Sequence, residues 1–486
     1  MKIVGFSINP LFPDRVIGGS ARHQHSVLTH LGELGHRVTV LCTRHPEAVP
    51  FRWHENVEVL PLLPFKQPFP EPYAVPAYQI ADVVQTVGEH LAGADRFYMH
   101  DGELLLPFLY RDVPTVISLR DNVYPETILG SFLFAADRLI AIAEYSRQVY
   151  LHTAGRFLPE LPQRAITINN GLDFTRFCPA PPDPELARRL GVEPGRHHVV
   201  LHPHRPEPTK GLAQTIAVAD VLVHQYGFET LRVLVPRWYD EKISPEVRAY
   251  YAGVEAELAA RGLREHVILH DWVPLQRMPD YYRLGDLTLV LGSFVEAFGN
   301  VAYEALACGT PAIVARVATH RSLLPDTLID KVHYDDTATA AAIAASILRE
   351  RRRTSLETLA YLREHFDSRA QLAAYASAIL GAQRVGPAPT RVVPLGPETR
   401  YVLPPWCYCW GDGMVFHDFH GRHTALPALS ALAAANPGGF TAAQAAEHGI
   451  VADELAVWRR EGYVAPLPEW SLPALVSSSP AVRPAR

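Results

Sequence analysis

Residues Phe294–Pro311, FVEAFGNVAYEALACGTP, decide how this chain folds. The apolar runs Leu287–Leu291 before the segment and Ala312–Ala315 after it predict two buried strands. The segment itself predicts a loop that opens into a helix near Ala297–Asn300, and a glycine and a proline end that helix. A strand, a helix and a second strand in this order predict a parallel βαβ unit.

The same alternation of short apolar runs and helical stretches continues on both sides of this segment. The further predicted strands are Lys2–Phe6, Val38–Cys42, Arg96–Met99, Thr115–Leu119, Leu139–Ala143, Ala165–Ile168, His198–His202, Leu231–Val235 and His266–His270. Continuous apolar strands between helices are typical of parallel sheets covered on both faces. We therefore expect an α/β chain with two Rossmann-like, doubly wound domains, residues 1–178 and 185–382, that face each other across a cleft. A linker rich in proline and charge joins them, and one long helix over Ser355–Leu380 ends the second.

The C-terminal part has a different composition. Residues 383–405 contain six prolines and predict a linker. Residues 406–470 predict a small α+β domain, in which Thr441–His448 and Val451–Gly462 form two helices around a short turn. This pattern resembles winged-helix modules, including small peptide-binding ones. We expect residues 471–486 to be disordered, and we expect a chain that ends near Gln383 to stay folded.

Composition narrows the class of protein further. The chain has 486 residues, 48% hydrophobic and 20% charged, with a net charge of −6 and no basic block, which argues against nucleic acid or anionic membrane as a partner. Five scattered cysteines predict a reducing compartment rather than a disulfide framework. The early prolines exclude a signal-peptide core, and no apolar run is long enough to span a membrane. We expect a soluble cytoplasmic protein, and the excess of arginine over lysine suggests a bacterial source.

Two carboxylates in the opening segment are candidates for chemistry. Glu296 lies in the predicted loop, and Glu304 follows eight positions later, inside the helix. Backbone N–H groups at the start of that helix, at Phe298, Gly299, Asn300 and Val301, form a ready anion site. The alternative is two exposed helix carboxylates followed by an ordinary helix end.

Cations and glycines follow other predicted strands. Arg205 and Lys210, after the strand His198–His202, have a spacing that suits a diphosphate, because arginine presents a planar fork and lysine a mobile point charge. Gly18 and Gly19 precede the first helix, whose predicted N-cap is Ser20, and glycines let backbone approach a phosphate closely. A surface loop or a simple capping loop could carry the same residues.

Together these segments resemble the retaining GT-B glycosyltransferases of the "glycosyl transferases group 1" type over roughly residues 1–382. The carriers are the E-x7-E pair with its ACGTP tail, the R-x4-K-G segment, and Asn170–Asp173 (NGLD). The resemblance implies that Glu296 serves the donor sugar, Glu304 the nucleoside ribose, and Arg205 with Lys210 the diphosphate.

The same resemblance places the loop at Gly18 and Gly19 opposite the donor, and it places His100, in the pair His100-Asp101, beside the sugar. Two positions depart from the family pattern. His204 stands where a glycine usually precedes the arginine, and Val317–Ser322 (VATHRS) replaces a glycine-rich loop. Because that loop often shapes the sugar or acceptor pocket, specificity does not carry over.

The expected function is transfer of a sugar from a nucleoside diphosphate donor, UDP-linked, to a hydroxyl acceptor, with retention at the anomeric carbon. The product would belong to natural-product or cell-surface glycan biosynthesis. The family needs no cofactor and no divalent metal, and it implies front-face attack in which the departing phosphate takes the acceptor proton. The C-terminal domain is expected to bind a protein or peptide partner.

Three alternatives remain at this stage. One is a sugar-nucleotide epimerase or hydrolase on the same fold. A second is a non-catalytic protein that acts through residues 406–470. The third concerns a metal site in the C-terminal domain, for which the candidate ligands are Cys407, Cys409, His417, His420 and His423.

Overall fold

The computed structural model of the chain describes residues 1–13, 18–46, 49–67, 71–101, 104–205, 207–237, 245–411, 413–467 and 470. The chain forms two compact units. The first contains Met1–Asn169, Ala370–His417 and the residues from His423 onward. The second contains Asn170–Arg369 and the short segment Asp418–Arg422. The predicted disordered tail, residues 471–486, lies outside the described residues.

An eight-stranded sheet forms the centre of the first unit. Its strands are β1 (Lys2–Ser7), β2 (Arg37–Thr43), β3 (Phe51–His54), β4 (Val57–Leu63), β5 (Arg96–His100), β6 (Thr115–Leu119), β7 (Arg138–Ala141) and β8 (Ala165–Thr167). Their order is β3-β4-β2-β1-β5-β6-β7-β8, and only the edge pair β3–β4 is antiparallel. The strand order reverses between β1 and β5, which is where an open parallel sheet forms a crevice at its carboxyl end.

Helices cover this sheet. They are α1 (Gly19–Glu33), α2 (Ala77–Leu91), α3 (Pro125–Phe132), α4 (Glu144–His152) and α5 (Leu161–Arg164). The predicted face of α1, with Val27 and Leu31, is buried, and Gly35 has a φ of 84° just after the helix, as an αL cap requires. Ser20 is not the N-cap, however, because Gly18 holds that position and the Ser20 hydroxyl donates to the Asp101 carboxylate instead.

The second unit repeats the doubly wound pattern. Its strands are β9 (His198–Leu201), β10 (Leu231–Pro236), β11 (Val267–His270), β12 (Leu287–Val290), β13 (Ala312–Ala315) and β14 (Asp330–Val332). Their order is β11-β10-β9-β12-β13-β14 and every pair is parallel. The order reverses between β9 and β12, which predicts a ligand crevice at their carboxyl ends.

The helices of the second unit are α6 (Pro184–Arg189), α7 (Leu212–His224), α8 (Pro245–Ala260), α9 (Met278–Leu284), α10 (Asn300–Ala307), α11 (Thr337–Glu350) and α12 (Leu356–His365). The two-domain α/β prediction is thereby confirmed. The region predicted as a bare linker contains α6, whose first turn is capped by the Asp183 side chain. An acidic N-cap with proline at the first helical position stabilises even a short helix.

The helix predicted over Ser355–Leu380 is two helices, α12 and α13 (Ser368–Leu380). The long segment of the second unit ends at Arg369, and the chain groups with the first unit from Ala370, whereas the predicted second domain extended to residue 382. The reason is packing, because Tyr375 of α13 is fully buried in the first unit. Its hydroxyl lies 3.0 Å from the Ser118 Oγ and accepts from the Arg120 guanidinium at 3.3 Å.

The C-terminal part contains β15 (Arg400–Val402), β16 (Cys407–Trp410), β17 (Met414–His417), β18 (Arg422–Ala425), α14 (Pro427–Ala435), α15 (Ala442–Glu447), α16 (Ala452–Arg460) and β19 (Ala465–Leu467). β15 and β19 form an antiparallel pair, and β16, β17 and β18 a three-stranded sheet. The two helices predicted around a short turn are α15 and α16. The winged-helix resemblance stays a prediction.

Apart from Asp418–Arg422, this part groups with the first unit. The predicted boundaries at 383–405 and 406–470 stay predictions. Leu467 belongs to the main core of the first unit, with Val402 packed against it. Asp137, buried at the start of β7, pairs with Arg384 and accepts a hydrogen bond from the Val385 N–H at 2.6 Å. Apolar burial and a buried ion pair therefore join the proline-rich segment to the first unit.

No helix of the described part of the chain is long and apolar enough to cross a membrane.

Candidate functional site

The strongest predicted residues meet at the strand-order reversal of the second unit. Lys210 ends a 3-10 turn, Pro208–Lys210, after β9, and Glu296 lies in the loop after the neighbouring strand β12. The Lys210 Nζ lies 2.7 Å from the Glu296 Oε1. The side chain of Lys210 is 9% exposed and that of Glu296 is 24% exposed. A partly buried ion pair thus joins two residues that are 86 positions apart in the sequence.

Two glycines let these loops pass at contact distance. A Cβ on Gly211 would lie 2.4 Å from the Gly292 backbone nitrogen, and one on Gly292 would lie 2.2 Å from the Thr209 carbonyl oxygen. The Phe294 N–H donates to that carbonyl at 3.0 Å. The Lys210 Nζ also lies 3.5 Å from the centroid of the Phe294 ring, a cation–π geometry. Backbone contacts and the aromatic ring therefore fix where the ammonium group sits.

The helix α10 begins beside this pair. It starts at Asn300, three residues later than the earliest predicted position, and Gly299 is its N-cap with a φ of 77°. Phe298 is buried and packs against Tyr303 and Phe366, so only its backbone is available to a ligand. The free N–H groups of the first turn and the helix dipole favour an anion at this end.

Glu304 is buried one turn inside α10, at 6% exposure. Its Oε2 accepts a hydrogen bond from the Tyr282 hydroxyl at 2.9 Å. Burial and the charge of Glu304 hold the pKa of Tyr282 well above its usual value, so the hydroxyl stays protonated and donates. The alternative of two exposed helix carboxylates does not describe the structure.

Arg205 is placed differently from Lys210. Its side chain is 44% exposed and its Nε lies 3.1 Å from the Glu207 Oε1. Sequence spacing predicted that two cations would clamp a diphosphate. The structure places Lys210 where the two loops make close contact, and Arg205 on a more exposed part of the same loop.

Two histidines that the sequence reasoning did not place in the site lie beside it. The His320 Nδ1 lies 2.9 Å from the Tyr303 hydroxyl, and its Nε2 is buried with no hydrogen-bond partner in the described part of the chain. A Cβ on Gly299 would lie 2.4 Å from the His320 Cε1, so the ring rests against the start of α10. Burial lowers the pKa of His320 to about 4, although the nearby Glu296 charge opposes the shift.

His204 is the second histidine. It is buried, and its Nε2 also lacks a hydrogen-bond partner within the described residues. Burial first, and then the charges of His202, Lys210 and His320, hold its pKa well below the usual value. Both histidines occupy positions where the sequence departs from the family pattern, and that departure was the only sequence signal for them.

The predicted residues of the first unit gather at its own strand-order reversal. Gly18 has a φ of 87°, and among the described residues beyond its chain neighbours no atom lies within 4 Å of the place where a Cβ would lie; Gly19 begins α1. His100 is 2% exposed, with its Nδ1 2.8 Å from the Tyr98 hydroxyl and its Nε2 3.0 Å from the Ser20 carbonyl oxygen. Both ring nitrogens of His100 are therefore engaged within the protein.

The candidate metal ligands of the C-terminal part do not converge. Cys407 and His417 are cross-strand neighbours in the β16–β17 ladder. The Cys407 thiol lies 3.7 Å from the Gly462 carbonyl oxygen, and the His423 Nδ1 accepts a hydrogen bond from the Trp410 indole at 2.9 Å. Within the described residues, no three His, Cys, Asp or Glu side chains lie close enough together to hold a metal ion.

Two parallel doubly wound units, one with a basic loop and a helix N-terminus at its strand-order reversal, define the GT-B class of glycosyltransferase fold. Residues 17–176 match the model of Glycosyltransferase Family 4, and residues 185–362 match that of Glycosyl transferases group 1. These two matches identify residues 17–176 and 185–362 as similar to glycosyltransferases of these two families.

Solved structures share the fold. Anabaena HepE in complex with UDP and glucose is 20% identical with a TM-score of 0.61, covering 79% of this chain and 100% of that one. Sucrose-phosphate synthase from Thermosynechococcus elongatus is 16% identical with a TM-score of 0.62, covering 77% of this chain and 97% of that one.

Curated relatives include two enzymes named D-inositol 3-phosphate glycosyltransferase. The one from Thermobispora bispora is 32% identical over 38% of this chain and 42% of its own length. The one from Rhodococcus jostii is 33% identical over 46% of this chain and 49% of its own length. The chain thus spans less than half the length of either relative.

Proposed function

We propose that this chain transfers a sugar from a nucleoside diphosphate donor, a UDP-sugar, to a hydroxyl acceptor with retention at the anomeric carbon. The observation that carries the proposal is the Lys210–Glu296 pair beside the start of α10. It brings a cation, a carboxylate and free backbone N–H groups to the carboxyl ends of adjacent parallel strands. This combination suits a diphosphate with a hydroxyl-bearing group attached to it.

The chemistry follows from how charge develops. When the bond from the anomeric carbon to the diphosphate oxygen breaks, negative charge grows on the leaving diphosphate. Lys210, the more exposed Arg205 and the N–H groups at Asn300 and Val301 can stabilise that charge, which is the largest electrostatic task of the reaction. A carboxylate salt-bridged to Lys210 would otherwise repel the phosphates, so we expect Glu296 to turn from the ammonium to the sugar hydroxyls when the donor binds.

Glu304 is proposed to hold the ribose. It is buried and accepts from the Tyr282 hydroxyl, so the side chain is already ordered before a ribose hydroxyl binds. In the family the attacking hydroxyl approaches from the face of the leaving group, and the departing phosphate takes its proton. No divalent ion is required by this proposal.

The names of similar proteins support the choice of donor and suggest a first acceptor. HepE binds UDP and glucose, and an Escherichia coli trehalose-6-phosphate protein of the same fold was solved with UDP-2-fluoro glucose. The relatives named above act on D-inositol 3-phosphate. We therefore propose a UDP-sugar as donor and D-inositol 3-phosphate as the first acceptor to test.

A thermal-shift screen against UDP-, GDP-, ADP- and dTDP-sugars tests the proposal. A ligand at 100 times its Kd stabilises the protein by about 2.7 kcal/mol, and we expect the largest shift with a UDP-sugar. NMR of the product then reports the anomeric configuration, which should match that of the donor. No shift with any of these ligands, or an inverted product, would contradict the proposal. A product formed without acceptor, by epimerisation or hydrolysis alone, would favour the alternative activities.

Glu304→Ala tests the ribose assignment. Loss of one charge-assisted hydrogen bond is expected to weaken UDP binding by about 1.5–3 kcal/mol. The matched control is Glu350→Ala, which removes an exposed carboxylate of α11 that accepts from the Ser346 hydroxyl of the same helix. If Glu304→Ala and Glu350→Ala bind UDP alike, the assignment is wrong.

A further inference from the structure

A short segment of the C-terminal part belongs to the second unit. The tip of the β17–β18 hairpin, Asp418–Arg422, groups with that unit, whereas the chain on both sides of it groups with the first. This segment lies beyond both family-model matches, the later of which ends at residue 362. Its contacts within the second unit converge on the loops that carry the proposed donor site.

Asp418 is the centre of these contacts. Its side chain is fully buried, at 0% exposure. The two Arg321 guanidinium nitrogens donate to its two carboxylate oxygens, each at 2.6 Å, and the Ala318 N–H donates to its Oδ1 at 3.1 Å. A buried carboxylate held by a two-pronged arginine and a backbone N–H is a strong, directional anchor.

The anchored loop needs such support. It contains the 3-10 turn Ala318–Arg321 between β13 and β14, and Ala318 has a φ of 48°. A residue with a Cβ in the left-handed region is strained by about 1–2 kcal/mol, and strained backbone persists only where surrounding contacts hold it. Asp418 contacts both ends of this turn.

His320 lies inside the anchored turn and faces the start of α10. Burial keeps the pKa of the Tyr303 hydroxyl high, so Tyr303 can donate to the His320 Nδ1, and the proton is then on Nε2. That Nε2–H is buried beside Gly299 and has no partner within the described residues. A buried N–H group without a hydrogen-bond partner costs free energy until a ligand pairs with it. An oxygen atom of a bound nucleotide sugar would accept this hydrogen bond.

The tip also reaches the second loop of the site. A Cβ on Gly421 would lie 3.4 Å from the Ser293 Oγ, in the loop that leads from β12 to Glu296. We propose that the C-terminal hairpin tip completes the donor site of the second unit: Asp418 is a positioning residue that fixes His320, and the His320 Nε2 donates to a diphosphate or sugar oxygen of the donor. This inference rests on the proposed function.

The test compares His320→Ala, Asp418→Asn and the double variant for binding of UDP and of a UDP-sugar. Each single variant is expected to weaken UDP-sugar binding about tenfold, and the double variant no more than either alone, because Asp418 acts through His320. Equal losses with UDP and UDP-sugar assign the contact to a phosphate oxygen, and a loss with UDP-sugar alone assigns it to the sugar. Additive losses, or none, overturn the proposal.

A matched control separates positioning from general destabilisation. Asp137→Asn removes the charge of another buried carboxylate that pairs with an arginine and accepts from backbone N–H groups, in the first unit. It is expected to lower the melting temperature and leave UDP-sugar affinity unchanged. Equal effects of Asp137→Asn and Asp418→Asn on affinity overturn the positioning role. Where Asp418→Asn does not fold, Arg321→Lys keeps the charge and loses the two-pronged contact.

A readout without donor keeps this test apart from that of the proposed function. The imidazole titration of His320, assigned by its loss in His320→Ala, is measured by NMR with ¹⁵N-labelled histidine. Burial holds its pKa near 4 against the opposing charge of Glu296, with Lys331 and Lys210 lowering it further. Asp418→Asn is expected to loosen the turn and move this pKa toward 6.5. An unchanged titration overturns the positioning role, whereas failure of the wild type to bind any nucleotide sugar overturns only the proposed function and its donor contact.

Discussion

The loop crossing at Gly211 offers the sharpest test of how the site is built. Gly211 has a φ of 83°, and an added Cβ would lie 2.4 Å from the Gly292 nitrogen and 2.7 Å from the Leu291 carbonyl carbon. Both neighbours are backbone atoms, which cannot rotate away as the end of a side chain can. Gly211→Ala must therefore push apart the two loops that carry Lys210 and Glu296.

The size of the effect has two parts. Alanine in the left-handed region is strained by about 1–2 kcal/mol, and overpacking of a tight contact adds about 1–3 kcal/mol. The expected loss of unfolding free energy is thus about 2–5 kcal/mol. Gly191→Ala is the matched control, because Gly191 has a φ of 70° in the same unit and, within the part of the chain that the structure describes, no atom beyond its chain neighbours lies within 4 Å of its Cβ position. Gly191→Ala should lose only the unfolding free energy that comes from the strained left-handed backbone.

Activity separates the two variants further. The Lys210–Glu296 distance of 2.7 Å leaves no slack, and a displacement of about 1 Å at a reacting group can lower the rate about 100-fold. We expect Gly211→Ala to lose about this factor in kcat/KM and most of the UDP-induced thermal shift, and Gly191→Ala to keep both. The reasoning is refuted if melting curves and kcat/KM of the two variants coincide.

Three further predictions follow from the geometry. Arg205→Ala and Lys210→Ala should mainly lower kcat, the latter more, because leaving-group charge grows towards the transition state. The activity of the wild type should survive EDTA, and inhibition by EDTA that magnesium reverses would contradict the mechanism. Burial raises the pKa of Asp101 from 3.8 to about 6. Between these pH values the folded state binds more protons than the unfolded state, so the stability of the wild type falls as pH rises. The melting temperature of Asp101→Asn, measured from pH 4 to 7, should lack this fall, and parallel curves for wild type and variant would refute the prediction. A chain that ends at Gln383 loses Arg384, the partner of the buried Asp137, and removing one partner of a buried ion pair costs about 3–5 kcal/mol. This shortened chain should melt far lower or be insoluble, contrary to the sequence expectation. An unchanged melting temperature would support the predicted boundary.

The parts of the fold that sequence could predict are those set by local pattern. Each predicted apolar run of four or five residues forms a strand. The predicted end of α1 is also confirmed, because Gly35 follows the helix with the positive φ of an αL cap. The edge strand β3, its neighbour β4 and the short β14 were missed. β4 alternates buried and partly exposed residues, and β14 has three residues with only the last buried, so neither has the continuous apolar run that marks an inner strand.

The site was predictable only as a set of isolated candidates. Motif spacing identified Lys210 and Glu296 individually, but the two residues are 86 positions apart, and their pairing depends on the strand order that places β9 next to β12. The contact of Glu304 with Tyr282 depends on the packing of α9 against α10 in the same way. Asp418 lies 97 residues from Arg321, in a part of the chain with no motif of its own. No local pattern encodes such distances.

The buried polar groups at the two strand-order reversals bear on where a ligand is held. In the first unit both nitrogens of His100 have protein partners. In the second, the Nε2 atoms of His204 and His320 are buried and unpaired within the described residues. Each unpaired buried group costs about 1–3 kcal/mol, and native proteins seldom keep two near one another without a ligand that pairs them. In the first unit the His23 Nδ1 and the Asp101 Oδ1 are likewise buried without a hydrogen-bond partner among the described residues. Both reversals therefore have polar groups that a bound ligand can pair, and the two histidines of the second unit lie beside the proposed diphosphate site.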